Sequence, residues 1–136
     1  MKQILIIDDE FDIQLLFAQQ FEEEISRGVL RFEFVRSAEE ALIYLRKLSK
    51  SDLILILSDI NMPGMTGLEL LRVIKAEMPN LPVAMVTAYG DEINRQKADA
   101  YGADAFITKP INFSLIKDII KSYSTRIESK NSESNN

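Results

Sequence analysis

The stretch Leu53-Ile-Leu-Ile-Leu-Ser-Asp59 runs from five consecutive apolar residues almost directly into a carboxylate. A short, continuous apolar run is typical of a parallel-sheet strand that is covered by helices on both faces. The segments Ile4-Leu-Ile-Ile7 and Val83-Ala-Met-Val86 repeat this pattern. Apolar and charged residues alternate instead in Arg31-Phe-Glu-Phe-Val35, which indicates an edge strand, and Ala105-Phe-Ile-Thr108 completes the set. We therefore predict a sheet of five strands.

Amphipathic stretches separate these strands. Their apolar residues recur at intervals of three and four, which predicts helices with one buried stripe each. The expected stripes are Ile13, Leu16, Phe17, Phe21 and Ile25; Ala38, Ala41, Leu42 and Leu45; Leu71, Ile74 and Met78; and Leu115, Ile119, Tyr123 and Ile127. A fourth helix, over residues 91–101, has few apolar side chains, so we expect its anchoring to be weak. Alternating strands and helices predict an α/β fold with one doubly wound sheet.

Two helix starts carry a local signature. Ser37 precedes Glu40 by three residues and Thr66 precedes Glu69 by three, which matches the capping box, in which side chains satisfy free amides at a helix start. The last helix is expected to begin near Ile111.

Length and composition limit the classes of function. A chain of 136 residues fits one domain, and 46% hydrophobic with 27% charged residues is ordinary for a folded protein. A net charge of -5 disfavours direct binding of nucleic acid. The absence of cysteine and histidine excludes thiolate sites and the usual zinc ligand, so any chemistry must rest on carboxylates, lysine, hydroxyls or a hard cation.

No apolar run is long enough to cross a bilayer or to form a secretory signal, so we expect a cytoplasmic protein without a membrane segment. We predict a domain over residues 1–128. The polar residues 129–136 are expected to form a disordered tail, because they offer nothing to bury.

Chemically active side chains stand at the carboxyl ends of four predicted strands. These are Asp8 and Asp9 after the first strand, Asp59 after the third, Thr87 after the fourth and Lys109 after the fifth. Each has a plain alternative: either first aspartate could cap a helix, Asp59 could start a turn, Thr87 could close a strand, and Lys109 could be a solvated charge. Ligands of open parallel sheets bind at this edge, and the convergence of all four ends favours one shared site.

Three clustered carboxylates repel one another, and a divalent cation would relieve the repulsion. With only oxygen donors at hand, Mg²⁺ is the natural choice, and Mn²⁺ is an alternative. A carboxylate beside such a cation can attack phosphorus and form an acyl phosphate. The Lys109 ammonium and the Thr87 hydroxyl could then share the charge of the phosphoryl oxygens.

Four segments resemble the receiver domains of two-component response regulators, the CheY-like family. They are Ile6-Ile-Asp-Asp-Glu10, Asp59-Ile-Asn-Met-Pro-Gly-Met-Thr-Gly67, Val86-Thr-Ala-Tyr89 and Ala105-Phe-Ile-Thr-Lys-Pro110. The resemblance covers the chain from about Ile4 to Ile127. It implies a flavodoxin-like (βα)5 fold with strand order 2-1-3-4-5, in which the first and third strands are neighbours.

The resemblance also implies roles for single residues. Asp59 would be the phosphoacceptor, and Asp9, Asp59 and the backbone carbonyl of Asn61 would hold Mg²⁺, with Asp8 acting mainly through water. Lys109 would contact the phosphoryl group, and the Thr87 hydroxyl would move to bind it.

A signalling role follows from the same resemblance. Phe106 would swing into the space that Thr87 vacates and so repack the surface formed by the fourth helix, the fifth strand and the last helix; the alternative is an ordinary core residue. The phosphodonor would be a histidine kinase or a histidine phosphotransfer protein. The output partner, a missing output domain or a homodimer of the phosphorylated form stay open. Such a domain is not a turnover enzyme: it catalyses only its own phosphorylation and slow dephosphorylation.

Three further expectations concern residues around the site. Pro110 resembles the family's cis proline, the alternative being a trans proline at a helix start. Phe11 and Leu15 are expected to help dock the phosphodonor, or else to belong to the core. Tyr89 is expected to shield the acyl phosphate partly from water.

Two other classes of protein compete with this interpretation. A haloacid-dehalogenase-like magnesium phosphohydrolase also forms an aspartyl phosphate, but it carries Asp-x-Asp after the first strand, whereas this chain has Asp8-Asp9-Glu10 and no room for a cap domain. A flavodoxin-like cofactor carrier would need a phosphate-binding loop rich in glycine or hydroxyls after the first strand, and none is present.

Overall fold

The computed structural model describes the backbone of residues 2–47 and 52–134, and the side chains of those ranges up to Ser124. Its strands are β1 (Lys2–Ile7), β2 (Leu30–Val35), β3 (Leu53–Asp59), β4 (Val83–Thr87) and β5 (Ala105–Thr108). They form one parallel sheet in the order β2-β1-β3-β4-β5. The predicted strand order is therefore confirmed, and the alternating strand β2 lies at an edge.

Helices cover both faces of the sheet. They are α1 (Phe11–Gln20), α2 (Glu22–Ser26), α3 (Ala38–Lys47), α4 (Gly67–Glu77), α5 (Glu92–Ala100) and α6 (Phe113–Ser134). One core cluster joins the sheet to α3, α4 and α5, and the other joins it to α1 and α6. Because β1 and β3 are buried from both sides, each contains a continuous apolar run, Ile4–Ile7 in β1 and Leu53–Leu57 in β3.

The first predicted helix is interrupted at Phe21, whose backbone (φ -114, ψ 23) leaves the helical region. The Phe21 ring is buried and stacks on Phe17 with centroids 5.9 Å apart. Leu16 and Ile25 are 41% and 40% exposed, so their assignment to the buried stripe was wrong. Leu16 is one position, about 100°, around the helix from the buried Phe17, and Ile25 follows the interruption.

The buried stripe of the last helix differs from the prediction by one residue at two positions, while Tyr123 is buried as predicted. Ile116, Ile120 and Tyr123 are buried, whereas Leu115 is 42% exposed and Ile119 is half-buried. The prediction failed because both sets have apolar residues four positions apart, and the choice between them depends on how the helix is seated on the sheet.

The backbone of α6 is helical from Phe113 to Ser134, so it starts two residues after the expected position and runs past the predicted domain end at residue 128. The side chain of Ile127 lies outside the described residues, as do Asn135 and Asn136. The polar tail over residues 129–136 stays a prediction.

Both predicted capping signals are present. The Glu40 amide donates to Ser37 Oγ at 3.1 Å, and the Glu69 amide donates to Thr66 Oγ1 at 3.2 Å. The Glu40 carboxylate reaches back one residue further than in the standard box, to the Arg36 amide at 2.9 Å. These bonds fix the starts of α3 and α4.

The α5 helix buries only Ala98, whereas α3 and α4 bury four residues each. The expected scarcity of anchoring side chains is confirmed. No helix in the described part of the chain is both long and apolar enough to cross a membrane.

Candidate functional site

The register of the sheet brings the predicted strand ends together. Ile7 of β1 pairs with Ser58, the residue before Asp59, and Asp59 pairs with Val86, the residue before Thr87. Thr87 in turn pairs with Thr108, the residue before Lys109. Because the strands are parallel and their ends are aligned, polar residues that follow them meet at one edge of the sheet.

Three carboxylates form a cluster at this edge. Asp8, Asp9 and Asp59 each offer an oxygen, and these oxygens all lie within 4.8 Å of one another. Asp8 and Asp59 are buried, with 8% and 4% of their surface exposed, and Asp9 is half-buried. The structure thus brings together the three acidic residues that the sequence singled out.

Lys109 closes the cluster from the β5 side. Its Nζ donates to Asp59 Oδ2 at 3.1 Å, and its backbone amide donates to the Thr87 carbonyl at 2.8 Å. Burial alone would lower the pKa of Lys109, but its hydrogen bond to Asp59 and the negative charges of Asp59 and Asp8 raise it above its ordinary value. The Lys109–Pro110 peptide bond is cis, as predicted.

The Asp8 carboxylate is a weaker acid than a free aspartate. Burial, with a smaller contribution from the Asp59 charge, raises the pKa of Asp8 from 3.8 to about 6, although the Glu10 amide donates to its Oδ1 at 2.9 Å. Burial disfavours the charged form of a carboxylate because it removes the water that would solvate the charge. A cation bound beside Asp8 would favour the charged form.

The donor set fits a hard divalent cation. Only carboxylate oxygens make up the cluster, and Mg²⁺ prefers such ligands. Asn61 adjoins them, because its amide donates to Asp59 Oδ1 at 3.2 Å. These residues could therefore hold Mg²⁺, with the backbone of Asn61 adjoining the cluster through its amide.

Thr87 and Phe106 lie on the same face of the sheet. Thr87 pairs with Thr108, two residues after Phe106, and side chains two residues apart point to the same side of a strand. Thr87 is buried, while Phe106 is half-buried beneath Arg95, whose guanidinium carbon is 5.0 Å from the ring centroid. The aromatic ring therefore lies between the α5 helix and the sheet, on the same side as the hydroxyl.

The apolar residues predicted to meet other molecules are exposed. Phe11 and Leu15 on α1 are 58% and 53% exposed, which excludes the alternative that they belong to the core. Tyr89 is 88% exposed, so its ring stands in solvent beyond the end of β4.

The structure reveals a packing requirement that the sequence analysis did not identify. A Cβ atom on Gly67, the first residue of α4, would lie 2.0 Å from the Asp59 backbone oxygen. The Gly67 amide also donates to the Ile60 carbonyl at 2.8 Å. A glycine at a helical position, where it costs stability relative to alanine, is the one local signal that something else requires it.

Comparison with known proteins agrees with this geometry. The family model described as the response regulator receiver domain matches residues 4–121. Sporulation initiation phosphotransferase F of Bacillus subtilis is 33% identical over 122 residues, which cover 90% of this chain and 93% of that protein. The response regulator protein PilR of Pseudomonas aeruginosa is also 33% identical, over 88% of this chain but only 25% of that protein.

A solved structure extends the likeness to three dimensions. The response regulator protein TrrA from Thermotoga maritima superposes with a TM-score of 0.75 at 29% identity, covering 90% of this chain and 99% of that one. The match in sequence, strand order and fold extends over nearly the whole chain. This chain therefore belongs to the response regulator receiver domain family.

Proposed function

We propose that Asp59 is the phosphoacceptor of this chain, which, as a receiver domain, acts as a phosphorylation-activated signalling switch. The observation that carries the assignment is the surroundings of Asp59: Lys109 Nζ is 3.1 Å from its Oδ2, and oxygens of Asp8 and Asp9 lie within 4.8 Å. A carboxylate oxygen of Asp59 attacks phosphorus, a P–O bond forms, and the bond from phosphorus to the donor breaks, leaving an acyl phosphate on the protein.

Mg²⁺ fits beside the acceptor. Asp9, Asp59 and the Asn61 carbonyl would hold it directly, and Asp8 would act through water; Mn²⁺ would suit the same oxygen ligands. When bound, the cation supplies positive charge to the phosphoryl oxygens. The TrrA structure was solved in complex with Mg²⁺-BeF, which supports Mg²⁺ as the cation proposed for this chain.

Lys109 and Thr87 complete the site. The Lys109 ammonium already contacts the acceptor carboxylate, so it would lie beside a phosphoryl group formed there. Thr87, on the neighbouring strand, offers a hydroxyl donor to another oxygen. Their donors share the charge that the attacking and leaving groups spread over the phosphoryl group.

The signal leaves through the surface formed by α5, β5 and α6. Movement of the Thr87 hydroxyl toward the phosphoryl group frees space on the face that also carries Phe106, and the ring repacks inward. Because Ala98 is the only residue that α5 buries, little packing opposes a shift of this helix. Phosphorylation thus shifts the equilibrium between two arrangements of this surface that differ by a small free energy.

The phosphodonor would be a histidine kinase or a histidine phosphotransfer protein. The exposed Phe11 and Leu15, on the helix that follows Asp8 and Asp9, offer it an apolar contact. Replacing both residues with alanine should slow transfer from such a protein and leave labelling by a small phosphodonor unchanged. The output protein, a homodimer of the phosphorylated form and the cytoplasmic location remain predictions.

The phosphohydrolase alternative is not favoured, because the family and the fold are those of receiver domains. Catalysis is limited in this proposal to self-phosphorylation and slow loss of the phosphoryl group. Tyr89, in solvent beside the site, would slow that loss by covering the acyl phosphate, and Tyr89→Ala should then hydrolyse faster.

The test is labelling with a small acyl phosphate, read by intact-protein mass with and without Mg²⁺. Asp59→Asn should abolish the adduct, and Asp9→Ala should remove the dependence on Mg²⁺. Asp104→Asn, which changes the same charge far from the cluster, should label like the unmodified chain. Labelling that survives Asp59→Asn would refute the assignment.

A further inference from the structure

Residues 61–66 form most of the loop between α4 and β3, the strand that ends in Asp59. It contains Asn61, the residue whose carbonyl would face the cation. At its start the Asn61 amide donates to Asp59 Oδ1 at 3.2 Å, and just beyond its end the Gly67 amide donates to the Ile60 carbonyl at 2.8 Å. We call this segment the acceptor loop.

A side chain from another helix holds the middle of the acceptor loop. Glu39, the second residue of α3, accepts a hydrogen bond on Oε1 from the Met65 amide at 3.0 Å. Apart from Asp59, no other side chain outside this loop hydrogen-bonds its backbone within the described part of the structure. The carboxylate therefore joins two elements that are 26 residues apart in the chain.

The acceptor loop is shaped to receive this carboxylate. Gly64 has φ +77, a conformation that side-chain-bearing residues rarely adopt, and a Cβ atom there would lie 3.1 Å from Glu39 Oε1. The Met65 amide is consequently presented next to a residue without a side chain. Both features belong to one contact, since the turn aims the amide and the missing Cβ leaves room for the acceptor.

We propose that Glu39 is a positioning residue for the cation site: by fixing the acceptor loop, it holds the Asn61 carbonyl where Mg²⁺ needs it. This inference rests on the proposed function, because it assumes the cation site formed by Asp9, Asp59 and Asn61. Glu39 is exposed and lies outside the carboxylate cluster, so it acts through the loop and is no ligand itself. Groups that orient metal ligands in this way change metal affinity even though they never touch the ion.

Two substitutions of Glu39 separate the effect of its side-chain length from the effect of its charge. Glutamine keeps an acceptor oxygen at the same distance from the backbone but carries no charge. Aspartate keeps the charge but is shorter by one methylene, so it cannot reach the Met65 amide without a shift of the loop. If the loop contact matters, Glu39→Gln should behave like the unmodified chain, and Glu39→Asp should behave like Glu39→Ala.

The experiment is a titration of the full chain with Mg²⁺ alone, followed by backbone amide chemical shifts. Glu39→Ala and Glu39→Asp should raise the half-saturating Mg²⁺ concentration by about three- to tenfold, at or below the lower end of the range for residues that orient metal ligands. Glu39→Gln should stay within about twofold, as should the control Glu40→Ala, which removes a neighbouring charge that bonds the Arg36 amide instead. Hydrogen exchange at the Met65 amide should accelerate only in the alanine and aspartate variants.

The outcomes distinguish this inference from the proposed function. If the unmodified chain shows no shift with Mg²⁺ at Asp9, Asp59 or Asn61, the cation site and the role of Glu39 both fail. If it binds Mg²⁺ but Glu39→Ala binds equally well, only the role of Glu39 is overturned. If Glu39→Gln is as weak as Glu39→Ala, charge and not the loop contact is responsible, which also overturns the inference.

Discussion

At Asp8, the requirements of cation binding and of folding stability conflict. This residue is buried beside Asp59 and Lys109, and its pKa is raised mainly because burial removes water from its charged form. A site that binds a divalent cation needs buried carboxylates, and their desolvation lowers the stability of the metal-free protein. Function and folding therefore place opposite demands on this one carboxylate.

The raised pKa of Asp8 predicts that the stability of the metal-free protein depends on pH. The pKa of Asp8 is about 6 in the folded chain and 3.8 in a free aspartate, so the folded state binds its proton more tightly. The stabilisation from protonated Asp8 is complete below pH 3.8 and is lost as the pH rises through 6. Between these limits the unfolding free energy should fall relative to that of Asp8→Asn by up to about 3 kcal/mol.

Denaturant unfolding of both proteins, in the presence of a chelator, measures this difference. The comparison with Asp8→Asn cancels the titration of the other carboxylates. Adding Mg²⁺ at pH 7 should stabilise the unmodified chain more than the variant. Parallel pH profiles of the two metal-free proteins would contradict the prediction.

At the scale of elements, the start of α4 packs closely against the end of β3 because Gly67 has no Cβ atom. Alanine at position 67 would gain up to about 1 kcal/mol of helix propensity. Its Cβ would, however, lie 2.0 Å from the Asp59 oxygen, and neither backbone can yield without moving the site. We expect Gly67→Ala to cost about 1–3 kcal/mol, as overpacking does in other cores, and to slow labelling of Asp59.

Gly28→Ala is the matched control. Gly28 lies in the turn that follows α2. A Cβ atom there would meet nothing within 4 Å, so a substitution would be strained only by the left-handed φ of +71. This variant should lose about 1–2 kcal/mol and label at the normal rate. Equal labelling rates for the two variants would show that the start of α4 does not position Asp59.

The α5 helix is less firmly anchored than α3 or α4. It buries Ala98 alone, and its largest apolar side chain, Ile93, is 70% exposed. Local opening requires little free energy where few apolar contacts are lost. We expect amides in the middle of α5 to exchange with solvent faster than those of α3 or α4, measured by hydrogen exchange of the native protein; slower exchange in α5 than in either would contradict this.

Across the whole molecule, the acidic cluster and a separate polar network lie at opposite edges of the sheet. The acidic cluster follows the carboxyl ends of the strands, whereas a polar network ties the amino ends of β4 and β5 to α4. There Asp104 Oδ2 accepts from Lys75 Nζ at 2.7 Å and from the Val83 amide at 2.8 Å, and Lys75 Nζ also donates to the Leu81 carbonyl at 2.9 Å.

This separation predicts that the two edges can be changed independently. Asp104→Ala would leave the Val83 amide without its side-chain acceptor and the 18%-exposed Lys75 with only the Leu81 carbonyl, at a cost of about 1–3 kcal/mol in unfolding free energy. The half-saturating Mg²⁺ concentration should not change. As a control, Arg46→Ala breaks the exposed ion pair with Glu77 and should cost less than about 1 kcal/mol; a changed Mg²⁺ affinity in Asp104→Ala would show that the edges are coupled.

The sequence by itself determined the strands and the residues at their ends. Continuous apolar runs such as Leu53 to Leu57 specify buried parallel strands locally, and the residue that follows a strand must lie at its carboxyl edge. Asp8, Asp9, Asp59, Thr87 and Lys109 could therefore be predicted as neighbours once the strand order was inferred from the resemblance to a family. That these residues lie close together could be predicted without any knowledge of side-chain packing.

Only the tertiary structure decided which of two equivalent local patterns is used. Leu115 and Ile116 each begin an apolar pair spaced by four, and only the seating of α6 on the sheet selects Ile116. Glu39 and Glu40 are adjacent and alike in sequence, yet one holds the acceptor loop and the other caps its own helix. The physical reason is range: periodicity and capping act within a few residues, whereas these choices depend on atoms that approach only after the chain has folded.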